Sequence, residues 1–192
     1  PRINEDMYDP IAAKASLNAL KYDFSKTLSI LLPENADVFN PNFHKTAELI
    51  QANLADIGVS SEIISSSGTS LQARLISGDY DTYLTGMNIH IDDPDSIFRP
   101  LLSCQSSPQG GNSSRWCSPL VEQLMDESLT ESNFAQRIKN YYQIQDEIYE
   151  KRPYLPLAHV LRLDATSASI SNVEVHPLTG INFQNTIKQD VN

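Results

Sequence analysis

Sulfur is scarce in this sequence: two of 192 residues are cysteine, at positions 104 and 117. They are too far apart for a C-x-x-C redox pair and lack the companion Cys/His pair of a zinc site. No G-x-S-x-G, H-E-x-x-H, phosphate-loop lysine or G-x-G-x-x-G pattern occurs, which leaves the common hydrolase, metalloprotease and nucleotide-binding chemistries without their signatures. Nowhere do the ~20 apolar residues of a membrane-spanning helix run together. Positive charge is also short. Lys and Arg number 14 against 24 Asp and Glu, a formal charge of −10, which disfavours unaided binding to a nucleic-acid backbone or an anionic membrane and favours cationic partners. Acidity for solubility alone is the competing explanation. The opening "PRINEDMYDP" lacks the charged and apolar regions of a secretory signal, as expected of either a mature chain or a piece of a longer one.

What is present suits a globular domain. The chain is 40% apolar and 20% charged, ordinary for a folded protein, and at this length burial on folding reaches roughly 70% of the unfolded surface. Neither an internal repeat nor a low-complexity tract interrupts it.

Helix and strand signals alternate in the first half. Asp9-Pro10 reads as a cap followed by a first-turn proline, opening a short helix to about Leu20. "TLSILLP", Thr27 to Pro33, is a strand-length apolar run. Asn40-Pro41 repeats the cap signal, and Phe43, Ala47, Ile50, Leu54 and Ile57 lie on one helical face ending at Gly58. Val59 to Ser65 reads as the next strand. Thr69 or Ser70 is expected to cap a helix running to Gly78, and Tyr80 to Gly86 is the third strand candidate. This order predicts an α/β layer with parallel crossovers. Farther on, Phe134, Ile138, Tyr141, Ile144 and Ile148 mark a long amphipathic helix to about Arg152-Pro153. "YLPLAHVLRLDA", "ISNVEVHPL" and "INFQNTI" then read as strand-like pieces.

Two segments invite chemistry. Cys104 and Cys117 bracket a polar loop, and a disulfide explains their placement better than two buried thiols in a reducing compartment, which remains the alternative. "HIDDPD", with His90, Asp92, Asp93 and Asp95, has the residue types of a metal cluster. Helix capping accounts for it more simply: Asp93 as cap, Pro94 at the first position and Asp95 in the first turn. No metal or cofactor is expected. His44, His159 and His176 read as structural residues. Trp116, beside Arg115, suits either a cleft wall or packing near the cysteines.

"DPDSIFRPLLSC", the spacing to "RWC", "FNPNFHKTAELIQANLADIGV" and "AQRIKNYYQIQDEIYEKRPYLPLAH" together resemble the C-terminal part of periplasmic dipeptide/oligopeptide-binding proteins of ABC importers, solute-binding protein family 5. "DSIFRPLLSC" and "LPLAHVLRL" look most like the Sap-type peptide-transport members. The resemblance runs from about Tyr8 to the end and corresponds to roughly the last two-fifths of a family member. It implies a mixed-sheet α/β lobe of a two-domain, type II-like periplasmic-binding-protein fold. Residues 1–164 would form the second lobe, and residues 165–192 a strand-rich tail returning to the first.

The resemblance also implies a site. In the family the acidic, proline-containing segment starts a helix beside the inter-lobe cleft, and a disulfide, here Cys104–Cys117, pins the following loop at the rim. A loop lining a wet groove is then expected to rest on no hydrophobic core of its own. Cleft candidates are Met87, Asn88, His90, Asp92 and Trp116. Dipeptide binders carry Trp where "GMNIHIDDPD" has Met87, and an ammonium-binding Asp where it has His90; Asp92 is a substitute only if the loop is shaped differently. Their carboxylate-binding Arg has no counterpart in "PENADVFNPN", which offers Ala36 and Asp37. The expected ligands are therefore longer, cationic or non-peptide ones, haem among them. Implied partners are a peptide or other small ligand and the membrane subunits of an importer; the molecule is expected to be a periplasmic monomer, to bind no nucleic acid and to perform no catalysis. A secreted hydrolase and a protein-interaction module docking on the importer are the rivals.

Overall fold

The structure is a computed structural model that describes residues 8–37, 40–87, 91–109, 111–159, 164–176 and 180–189. Helix α1 (Pro10–Ala19) is capped by Asp9, whose carboxylate accepts from the Ala12 amide. Strand β1 (Thr27–Pro33) follows with the bounds its sequence predicts. It is the centre of a three-stranded sheet ordered β2-β1-β3, with β2 (Ser60–Ser66) and β3 (Thr82–Tyr83) both parallel to it. Helices α2 (Phe43–Asp56) and α3 (Gly68–Ser77) are the crossovers. A central parallel strand is covered on both faces, so its apolar residues run continuously rather than alternate. Ile30, Leu31 and Leu32 are accordingly all buried. Ile30 and Leu32 pack with Phe43 and Ala47 of α2 and with Leu84, while Ile50, Leu54 and Ile63 flank them.

Several element starts fall near, but not on, their predicted residues. The cap of α2 is Asn42, accepting from the Lys45 amide, rather than Asn40. Asn40 instead shapes the turn around Pro41: its side chain accepts from the Asn42 amide and donates to Thr46 Oγ1. Helix α3 begins after Ser67, which makes no side-chain capping bond, rather than at Thr69 or Ser70. Strand β3 is shorter than Tyr80 to Gly86, and at its start the Asp81 side chain takes the place of a ladder partner. Its carboxylate accepts from both the amide and hydroxyl of Ser29, at 2.8 and 2.9 Å.

The second half is helical. Helix α4 (Asp95–Leu102), a 3-10 turn (Cys104–Gln109), α5 (Pro119–Thr130) and α6 (Phe134–Lys151) enclose a separate core of Leu102, Val121, Leu124, Met125, Tyr141 and Ile144. Helix α4 starts one residue after the predicted Pro94. Asp93 still serves its first turn by accepting from the Asp95 amide. Helix α5 has no counterpart in the sequence-based expectation, although Ser118-Pro119 is another cap-then-proline pair and the Ser118 hydroxyl accepts from the Val121 amide. Helix α6 ends at Arg152, in the left-handed conformation at φ 55°, just before Pro153. On its apolar face Tyr141 and Ile144 are buried, whereas Phe134 is 72% exposed.

The tail forms two small antiparallel pairs: β4 (Ile170–Ser171) with β7 (Ile187–Lys188), and β5 (Glu174–His176) with β6 (Gly180–Asn182). The described part of the predicted strand in "YLPLAHVLRLDA" is irregular. Tyr154 explains its course by packing on the helical core and donating to the Leu101 carbonyl at 2.9 Å.

Candidate ligand-binding site

In parallel α/β sheets ligands sit beyond the carboxyl ends of the strands, where the connecting loops spread apart. Here that edge is formed by Pro33, Ser66 and Tyr83. The Glu34 amide donates to the Ser66 carbonyl and the Ser67 hydroxyl to the Glu34 carboxylate, tying the ends of β1 and β2 together. This pair is absent from the residues the sequence singles out; its one signal is an acidic residue directly after a strand-ending proline.

From β3 the chain passes through buried Leu84 to Met87, which is 40% exposed; on the other side of residues 88–90, Ile91 and Asp92 are exposed. Asn88 and His90 lie outside the described residues. The far end of this segment is anchored firmly. Ser96 donates its hydroxyl to the carbonyls of Ile91 and Asp93, at 3.1 and 2.6 Å. Arg137 of α6 reaches both Asp93 carboxylate oxygens, at 3.0 and 2.7 Å, and also donates to the Tyr141 hydroxyl. Arg99 holds Asp95 and Asp126 at 3.0 Å each, joining α4 to α5. Charge-assisted bonds thus hold the chain at Asp93, directly after exposed Asp92.

This anchor has a pH dependence. Burial alone raises the Asp93 pKa, but the Asp95 amide and the Arg137 guanidinium outweigh it and hold the carboxyl below its ordinary value. A depressed carboxyl contributes stability that is complete above the unfolded-state value, about 3.9, and lost as pH falls through the folded one. Acidification below the ordinary carboxylate range should therefore loosen α4 from α6 before it disturbs β1. Amide exchange followed by NMR down the pH scale checks this; simultaneous loss of both protections would contradict it.

The loop after α4 is closed by the Cys104–Cys117 disulfide, as expected. It is not held by that bond alone. Asn112, 1% exposed, donates to the carbonyls of Ser103 and Trp116 at 3.3 and 2.7 Å and accepts from the Ser114 hydroxyl. Glu122 of α5 accepts from the Ser103 hydroxyl and the Cys104 amide, at 2.9 and 3.0 Å. Trp116 packs, half-buried, against the helical core. The expectation of a loop without a hydrophobic floor is thus corrected: the loop's own Trp116 packs on the helical core.

Met87 and Asp92 are both exposed and flank residues 88–90, whereas Trp116 belongs to the helical half. His44 lies exposed 3.6 Å from Glu48, and His159 and His176 are exposed. Among the described residues no three His, Cys, Asp or Glu side chains gather as metal ligands would, and no helix is long and apolar enough to cross a membrane.

This arrangement can be compared with known proteins. Residues 1–109 match the family model described as bacterial extracellular solute-binding proteins, family 5, middle. The chain belongs to this family. It is 35% identical over 176 residues to the peptide transport periplasmic protein SapA of Salmonella typhimurium, covering 92% of this chain and 32% of that protein. Among solved structures, a dipeptide-binding protein from Pseudoalteromonas sp. SM9913 in complex with Met-Leu is 31% identical with a TM-score of 0.79, covering 98% of this chain and 37% of that one. HbpA2 from Haemophilus parasuis is 25% identical with a TM-score of 0.83, covering 95% of this chain and 38% of that one. This family 5 chain spans about a third of the length of the curated relatives it matches.

Proposed function

We propose that residues 1–164 are the second lobe, and residues 165–192 the returning tail, of a periplasmic protein that holds a peptide or similar solute between two lobes and delivers it to the membrane subunits of an ABC importer. The observation that carries this reading is exposed Met87 just past the carboxyl edge of a parallel sheet and exposed Asp92 beside the anchored Asp93, in a chain of family 5. Met87, Asn88, His90 and Asp92 would supply contacts there, and Trp116 a contact from the disulfide loop. The protein acts as a monomer and performs no covalent chemistry; hinge closure on the ligand transmits occupancy.

Asp92 is an exposed carboxylate suited to an ammonium or guanidinium group, and this supports cationic peptides as the preferred ligand class. Haem is the second ligand to try, with Met87 and His90 on the segment that would meet it. One lobe supplies half of the contacts and excludes little water, so affinity should be far weaker in this chain alone than in a protein carrying both lobes. Isothermal titration of both with one lysine-rich peptide tests the proposal. Equal affinities, or none in the two-lobed protein for peptide and haem alike, would refute it.

A further inference from the structure

The sheet core and the helical core share no residue. The disulfide loop belongs to the helical one through Trp116, yet it reaches across to the other half. Arg115 donates through Nη2 to the carbonyls of Leu75, at 3.2 Å, and of Ile76. These belong to the last turn of α3, where helix carbonyls lack intrahelical partners and the dipole favours a cation. Gly78 lies directly against the guanidinium: a Cβ there would fall 2.6 Å from Arg115 Nε and 2.7 Å from Cζ. Its φ of 76° independently calls for glycine, so two constraints coincide at one position. Arg115 itself sits at φ 55°, unusual for a side-chain-bearing residue. A second contact runs beside the first, from the Tyr80 hydroxyl to the Ser113 carbonyl at 2.6 Å.

We propose that Arg115, seated against Gly78 and the end of α3 and seconded by Tyr80, is a latch that fixes where the disulfide loop lies against the sheet half, while the disulfide and Asn112 fix only the loop's own shape. The latch links two separately packed cores and stands whether or not the ligand reading is correct.

Hydrogen exchange on the oxidised and the reduced protein tests the division of labour. With the disulfide intact, Arg115→Ala should speed exchange at the Gly78 and Asp79 amides by about tenfold, the scale of one lost bond to a charged group, and leave the α5–α6 amides unchanged. Arg115→Lys should restore part of the protection, since an ammonium reaches the same carbonyls without the planar fork. Reduction of the wild-type protein should leave the α3 turn protected. Tyr80→Phe, which adds no strain, should weaken the same turn, and its effect should combine non-additively with Arg115→Ala. Protection at residues 78–79 that follows the disulfide and ignores both Arg115 and Tyr80 would overturn the proposal. Should Arg115→Ala fail to fold, the Tyr80→Phe protein under the two redox conditions distinguishes the same two outcomes.

Discussion

Replacing Cys104 and Cys117 together by serine is expected to lower stability by about 3 kcal/mol, measured as a shift of the urea midpoint at constant slope. The two residues are 13 positions apart, and closing a loop of this size removes about that much entropy from the unfolded chain. The folded loop itself should change little. Asn112 still bridges the Ser103 and Trp116 carbonyls, and Glu122 still holds the Cys104 amide, so each end of the loop has a non-covalent tether. The near-ultraviolet signal of Trp116 should therefore survive in the double-serine protein under native conditions. A loss of that signal at low denaturant would mean that the bond shapes the native loop and that the hydrogen bonds around Asn112 do not.

Truncating Ile144 to alanine is expected to cost about 3 to 4 kcal/mol, within the range for emptying a buried aliphatic site. Ile144 is 0% exposed and lies in the helical core with Leu102, Val121, Leu124, Met125 and Tyr141. Phe134 lies on the same periodic face in sequence but is 72% exposed, so Phe134→Ala should stay within about 0.5 kcal/mol. Chemical denaturation of the two variants side by side separates burial from periodicity. Equal losses would show that the first turn of α6 is buried against something beyond the described contacts.

The contrast between Ile144 and Phe134 also marks how far sequence reasoning reaches. Local signals carry well: Asp9-Pro10 caps α1, the run from Thr27 to Pro33 is β1 from end to end, and Gly58 and Gly78 close their helices with positive φ. With two cysteines there is one possible pairing, so the bridge is legible as well. Competition between neighbouring polar residues is not. Asn40 and Asn42 are both capable caps, and the one after Pro41 takes the helix because Asn40 is occupied with the turn. The start of α5 at Ser118-Pro119 repeats the cap-then-proline pattern seen elsewhere, but it directly follows Cys117 and so reads as the end of the polar loop.

The candidate site is less legible than the fold for a physical reason. Its anchors join residues far apart in the chain, such as Arg137 to Asp93, Tyr80 to Ser113 and Arg115 to the end of α3. No periodicity or cap announces such pairs. Asp92 and Met87 stand out because they adjoin a recognisable segment, and Trp116 because it adjoins a cysteine; the hydrogen bonds of Asn112, which hold the Trp116 backbone, have no signal in the sequence at all.

The two cores also differ in how widely their members are spread along the chain. Thr27 of β1 pairs with Ser60 of β2 only after the intervening helix has been threaded, whereas α5 and α6 are consecutive and pack on one another directly. Contacts between near neighbours form faster than those that must first close a long stretch of chain. During refolding the helical hairpin is therefore expected to pack before the strands pair, which would bring the two sulfurs beside it together early.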